Sequence, residues 1–193
     1  MRADAIVFGI AGALFGLIVG WVLGSQQTAR NPRDTAPVAQ AAPAQQQPPA
    51  AVPVDPARVK ALEETAGQNL KDVPARVQLG NMFFDAEQYP QAITWYEQAM
   101  ALNPNDTNVS TDLGVAYYYT NQPDRALKQF DHSLSIDPRH IKTLLNVGIV
   151  RAFGRQDFAG AGKVWQQVVD LSPDSPEGQA ARKGLEGIKA AGK

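Results

Sequence analysis

Hydrophobic and polar positions along this chain fall into three regimes. Residues 6–23 form an uncharged apolar run of 18 residues. From Ser25 to about Val54 the sequence is dominated by Ala, Gln and Pro, with no apolar period. From Asp55 onward, apolar residues recur at the three- and four-residue intervals that place them on one face of an α-helix. Asp55-Pro56 opens a predicted leading helix running to about Leu70, with Val59, Leu62 and Ala66 on its inner face. The last segment starts at Asp174-Ser175-Pro176-Glu177, a helix-capping signature, and carries Ala180, Leu185 and Ile188 inward, with Lys183, Glu186 and Lys189 on its polar face.

Between these flanking helices the pattern repeats. Leu79-Gly80 recurs as Leu113-Gly114 and as Val147-Gly148, a period of 34 residues. Asn103-Pro104 recurs as Asp137-Pro138, Ala92 and Tyr96 as Ala126 and Phe130, and Phe83 as Tyr117. The physical logic is that of stacked helical hairpins. Gly80 and Gly114 lie where a first helix must meet its neighbour closely, and Ala92, Ala99 and Ala126 are small for the same reason on the second helix. Phe83, Tyr96, Tyr117 and Phe130 are the large residues that fill the space between. Pro104 and Pro138 stop each second helix, while Pro90 and Pro123 open one. This 34-residue spacing of Leu-Gly, aromatic, Ala, aromatic and Pro resembles the tetratricopeptide repeat. The resemblance spans about residues 73–173 and implies an all-α solenoid of three helical hairpins with flanking helices, eight helices in total.

The third repeat departs from the pattern. Arg151 stands where an aromatic is expected, and Gly148 is separated from the small residue Ala161 by one residue more than in the earlier repeats. Ser172-Pro173 follows one residue late, and Trp165 takes the packing role of Tyr96 and Phe130. An insertion near Gly154 accounts for all three. The expected domains are 1–24 for a membrane anchor, 25–54 for a linker, and 55–72 for the leading helix. Three repeats follow at about 73–106, 107–140 and 141–173, with 174–193 as the terminal helix.

In the tetratricopeptide family the first helices of successive hairpins line a concave surface that holds a partner. The resemblance carries this role to Val77, Asn81 and Phe84 in the first hairpin, and to Thr111, Asp112, Val115 and Tyr118 in the second. Lys142, Leu145, Asn146 and Ile149 follow in the third. The mixture of aromatic, aliphatic and amide groups suits an extended peptide or a helix of a protein client, with Asn81 and Asn146 available to pair a backbone. The alternative for Phe84 and Tyr118 is plain packing between helices. Some family members grip a terminal carboxylate with Lys and Asn residues. Asn81 and Lys142 match two of those positions, but Val77 and Asp112 stand where Lys and Asn are wanted, and Asp112 would repel a carboxylate.

The apolar run is long enough, at ~1.5 Å per residue, to cross a bilayer core. The sequence after Leu23 fits a signal-peptide cleavage site poorly, so an uncleaved transmembrane anchor is expected. Gly12, Gly16, Gly20 and Gly24 fall on one face of that helix, where a second helix can approach closely. This points to a homodimer or another helix partner, although glycine is also simply common in membrane helices. Trp21 suits the headgroup level. Arg2 against Arg30 and Arg33 tilts the folded part slightly towards the cytoplasm. The arrangement of anchor and Pro-rich spacer points the other way, to a bacterial inner-membrane protein with its folded part in the periplasm. The spacer's composition cannot offset ordering entropy, so it is expected to act as a disordered tether spanning roughly 30 Å.

Composition narrows the chemistry. A formal net charge of −1 gives no basic surface for nucleic acid. Cysteine is absent, which excludes disulfides, thiolate catalysis and Cys-ligated metal. His132 and His140 lack an acidic or Cys companion at ligand spacing, and Glu63-Glu64 cannot share a helix face. Two glycosylation sequons, at Asn105 and Asn108, are short patterns of the kind that arise by chance. No metal, cofactor or enzymatic activity is expected. The expected function is that of an adaptor in assembly of a bacterial envelope complex, or else a structural subunit recruited through its glycine-faced helix.

Overall fold

A computed structural model describes residues 52–192. The expected transmembrane run, with Gly12, Gly16, Gly20 and Gly24, and most of the linker lie outside the described residues. Among the described residues there are eight α-helices and no strand. They are α1 (Pro56–Gln68), α2 (Val73–Asp85), α3 (Tyr89–Leu102), α4 (Thr107–Tyr119), α5 (Pro123–Ile136), α6 (Ile141–Ile149), α7 (Phe158–Leu171) and α8 (Pro176–Ala190). Each packs on the next in chain order, so the chain is a stack of antiparallel hairpins: α2 with α3, α4 with α5, and α6 with α7. Among these helices, none is long and apolar enough to cross a membrane.

Short polar side chains start most of the helices. Asp72 accepts a hydrogen bond from the Ala75 amide at 2.8 Å, Asp106 from Val109 at 3.0 Å, and Asp157 from Gly160 at 2.8 Å. Asp55 and Ser175 do the same for α1 and α8. Each cap satisfies an amide that has no partner within its helix. Prolines at the first or second position of α1, α2, α3, α5 and α8 lack the amide that would otherwise need one. Between the helices of each hairpin the chain turns on one residue with positive φ: Glu87 at 58°, Asn121 at 59° and Gln156 at 56°.

Glycine and aromatic residues interlock inside each hairpin. A Cβ placed on Gly80 would fall against the ring of Tyr96, one on Gly114 against Phe130, and one on Gly148 against the indole of Trp165. All six residues are buried. The first helix can therefore touch a large ring on the second without a side chain between them, which raises contact per residue. At the leading end, Arg76 is buried. Its guanidinium donates to the Ala66 carbonyl at 3.1 Å and the Asp72 carbonyl at 2.7 Å, tying α1 to α2 with a cation at the end of α1, where helix carbonyls are unpaired.

The extra residue of the third repeat is absorbed inside the first helix. α6 gives way at Val150 to a π-helical turn, Val150–Gly154, whose wider ring accommodates one residue more than an α-turn. Arg151, in the aromatic position, forms an ion pair with Asp157 at 3.1 Å across the turn. In α8 the inward residues are Gly178 and Ala181, both buried. Ala180, expected inside, is exposed, because Leu185 and Ile188 pack at the four- and seven-residue offsets from position 181.

Candidate functional site

The helices α2, α4 and α6 are the first members of the three hairpins, and the residues expected to line a client face lie along them. Val77, Phe84, Asp112, Val115, Tyr118, Leu145, Asn146 and Ile149 are half-buried there, and Asn81 and Lys142 are exposed. The face is polar and paired along its middle. Lys142 Nζ lies 2.7 Å from Asp112 Oδ1, so the cation that matches a carboxylate clamp already holds an anion. Asn81 Oδ1 accepts the Tyr96 hydroxyl at 2.7 Å. Asn146 donates to the Lys142 carbonyl at 2.8 Å within its own helix. The two amides expected to meet a client backbone thus have one atom each committed internally.

Thr111 is not on that face. It is fully buried, its hydroxyl donating to the Thr107 carbonyl at 2.7 Å and sharing a 2.6 Å hydrogen bond with Thr143. His140 Nδ1 lies 2.7 Å from Thr143 Oγ1, and Ser133 donates to Ser110 at 2.7 Å in the same buried seam. This polar seam joins the second hairpin to the third. Thr111 therefore holds hairpins together and cannot touch a client, a correction to its expected place.

Aromatic residues gather where α2 and α4 end. The Phe84 ring meets Tyr89 edge-on at 5.4 Å and Tyr119 at 6.2 Å, while Tyr89 and Tyr119 stack at 4.6 Å with planes 12° apart. Tyr118 adjoins Tyr119 at 6.0 Å. Phe84 and Tyr118 therefore take part in packing between helices. Tyr119 is 53% exposed, and its counterpart one repeat on, Phe153 in the π-helical turn, is 52% exposed. Neither was expected from the sequence. The signal was present as an aromatic recurring after 34 residues, Tyr119 and Phe153, but the first repeat carries Asp85 there and hides the period.

Burial shapes the tyrosine hydroxyls. It pushes Tyr89 up to about 12, with Tyr119 and Glu87 adding to the effect. Tyr96, Tyr117 and Tyr118 also hold their protons above the ordinary range, chiefly through burial. Tyr117 further donates to Glu97 at 2.5 Å and lies under the Arg125 guanidinium at 4.0 Å. These hydroxyls are protonated donors at neutral pH, Tyr117 held between the Glu97 carboxylate and the Arg125 guanidinium. Among the described residues there is no group of His, Cys, Asp or Glu arranged to hold a metal ion.

Comparison with known proteins agrees with this architecture. A family model described as TPR repeat matches residues 80–121, from the middle of α2 into the turn before α5. No curated protein sequence matches the chain. Solved structures do. The first TPR of Spaghetti (RPAP3), bound to the HSP90 peptide SRMEEVD, superposes with a TM-score of 0.54 at 23% identity, over 72% of this chain and 95% of that one. MamA superposes with a TM-score of 0.58 at 13% identity, over 70% and 90%. The Sgt2 TPR domain from Aspergillus fumigatus superposes at 0.55 and 24% identity, over 61% and 79%. The likeness is one of fold: a tetratricopeptide-type helical-hairpin solenoid.

Proposed function

We propose that this chain is a membrane-anchored adaptor that recruits a protein client through the first-helix face of its three hairpins, in assembly of a bacterial envelope complex. The observation that carries the reading is the face itself. Val77, Phe84, Val115, Tyr118, Leu145 and Ile149 pack against the core yet stay only half-buried across three successive hairpins, which leaves part of each for a client, beside amides that can meet a peptide backbone. Peptides held by a similarly folded domain, the first TPR of Spaghetti (RPAP3), support a client of that kind. The division into anchor (1–24), tether (25–54), leading helix (55–72), repeats (73–106, 107–140, 141–173) and terminal helix (174–193) belongs to this proposal. So do the inner-membrane location with the folded part in the periplasm and the absence of catalysis.

Glycine at positions 12, 16, 20 and 24 favours a second reading, in which the transmembrane helix is the main contact with a larger complex or with a second copy. Two variants separate the readings in a crosslinking pull-down from native membranes. If the adaptor reading holds, Phe84→Ala with Tyr118→Ala loses the client while Gly16→Ile with Gly20→Ile keeps it. The reverse result makes the helix the main contact.

A further inference from the structure

The stacked pair Tyr89 and Tyr119 is held by neighbours on one side and open to water on the other. Phe84 stands edge-on against both rings and Tyr118 adjoins Tyr119, yet Tyr119 remains 53% exposed. Ordering an exposed ring in this way removes its freedom before any partner arrives, which lowers the cost of binding. Two exposed carboxylates lie close to the pair in the chain, and Glu87 is near enough to Tyr89 to help hold the proton on its hydroxyl. Asp85 follows Phe84 at the end of α2, and Glu87 precedes Tyr89 in the turn. Neither makes an ion pair with a described residue, whereas Asp112 further along the face is neutralised by Lys142 at 2.7 Å. The last carbonyls of α2 are taken up by the turn and by the Val52 amide, which donates to the Asp85 carbonyl at 3.3 Å, so the negative charge here is that of the two carboxylates. Ring faces with uncompensated carboxylates beside them attract a cation carried on an apolar stem.

We propose that this aromatic ledge is the anchor subsite of the client face, and that it takes a segment with Lys or Arg next to an aromatic or branched aliphatic residue. The segment is internal to the client chain, because among the described residues the cation on the middle of the face, Lys142, is occupied by Asp112 and leaves no free positive charge there for a terminal carboxylate. The assignment rests on the adaptor reading above and gives it a partner chemistry.

The test uses the purified full chain in detergent micelles and a phage library of random dodecapeptides displayed without a free carboxyl end. The expected enrichment is of Lys or Arg adjacent to, or one helical turn from, an aromatic or branched aliphatic residue. Binding of the most enriched peptide, synthesised with blocked ends, should fall roughly three- to tenfold with Tyr119→Ser. It should fall again with Asp85→Lys plus Glu87→Lys, and that charge-reversed pair should enrich acidic peptides instead. All three sites are exposed, and unchanged far-UV circular dichroism confirms the fold of each variant. Enriched peptides that lack a basic residue, or that bind these variants unchanged yet are lost with Val115→Arg, would overturn the ledge and leave the client face standing. A wild-type chain that enriches no peptide would overturn both.

Discussion

The indole of Trp165 occupies the space that a side chain on Gly148 would need, and its Nε1 donates to the Leu145 carbonyl at 3.2 Å one turn earlier on the same helix. Gly80 with Tyr96 and Gly114 with Phe130 repeat this relationship in the other two hairpins. The spacing between hairpin helices is therefore set by ring against backbone, and a methyl group is too much.

Gly114→Ala should cost about 1–3 kcal/mol, because the Phe130 ring is fully buried and has nowhere to retreat. Gly187→Ala in α8 is the control: nothing stands within 4 Å of its added Cβ, so it should stabilise by about 0.5–1 kcal/mol through the restricted unfolded chain. Urea midpoints at unchanged slope check both signs.

Deleting Gly154 should be tolerated. It returns the third repeat to the 34-residue period and lets the Val150–Gly154 turn close as ordinary α-helix, with Gln156 left as the turn residue. Far-UV circular dichroism should keep its helical intensity and the melting temperature should stay close to that of the parent. A collapse of the melt would show that the π-helical turn is required for folding.

How much of this was legible in the chain itself depends on whether the feature repeats. The hairpins follow from residues that recur at 34, such as Gly80 and Gly114 or Ala92 and Ala126. The single extra residue between Gly148 and Ala161 marks an insertion near Gly154, but not that a π-helical turn takes it up. Thr111 was misplaced because the role was carried over from the family's positions, and the resemblance does not say that Thr143 of the next hairpin covers it here. The Tyr89–Tyr119 stack joins residues 30 apart in sequence on different hairpins, a relationship set by how successive hairpins pack and invisible to a one-dimensional pattern.

Thr143→Val should cost roughly 1–2 kcal/mol, since it removes the shared 2.6 Å bond with Thr111 and the partner of His140. Thr111→Val with Thr143→Val should cost less than the sum of the single changes, because both sides of one bond leave together. A double-mutant cycle by urea unfolding measures the difference. Strict additivity would mean the two hydroxyls act independently.

Stability should decline as pH rises above about 10. Tyr89 holds its proton up to about 12 in the fold, and Tyr96 and Tyr117 are raised too, against an ordinary value of 10.0. A folded value above the unfolded one gives stability that is complete below pH 10 and is lost as the unfolded chain ionises first. Tyrosinate absorbance should therefore rise in step with loss of helix, and Tyr96→Phe should flatten the alkaline slope. Ionisation of every tyrosine near pH 10 with helix intact would contradict the burial of these hydroxyls.

The most direct test of the adaptor reading places a photocrosslinking amino acid at Val115 or Leu145 on the first-helix face, and at Lys128 on the exposed side of α5, in the full chain in native membranes. The account predicts a shared client adduct at Val115 and Leu145 that is absent at Lys128. The same adduct at Lys128, or none at the two face positions, would contradict it.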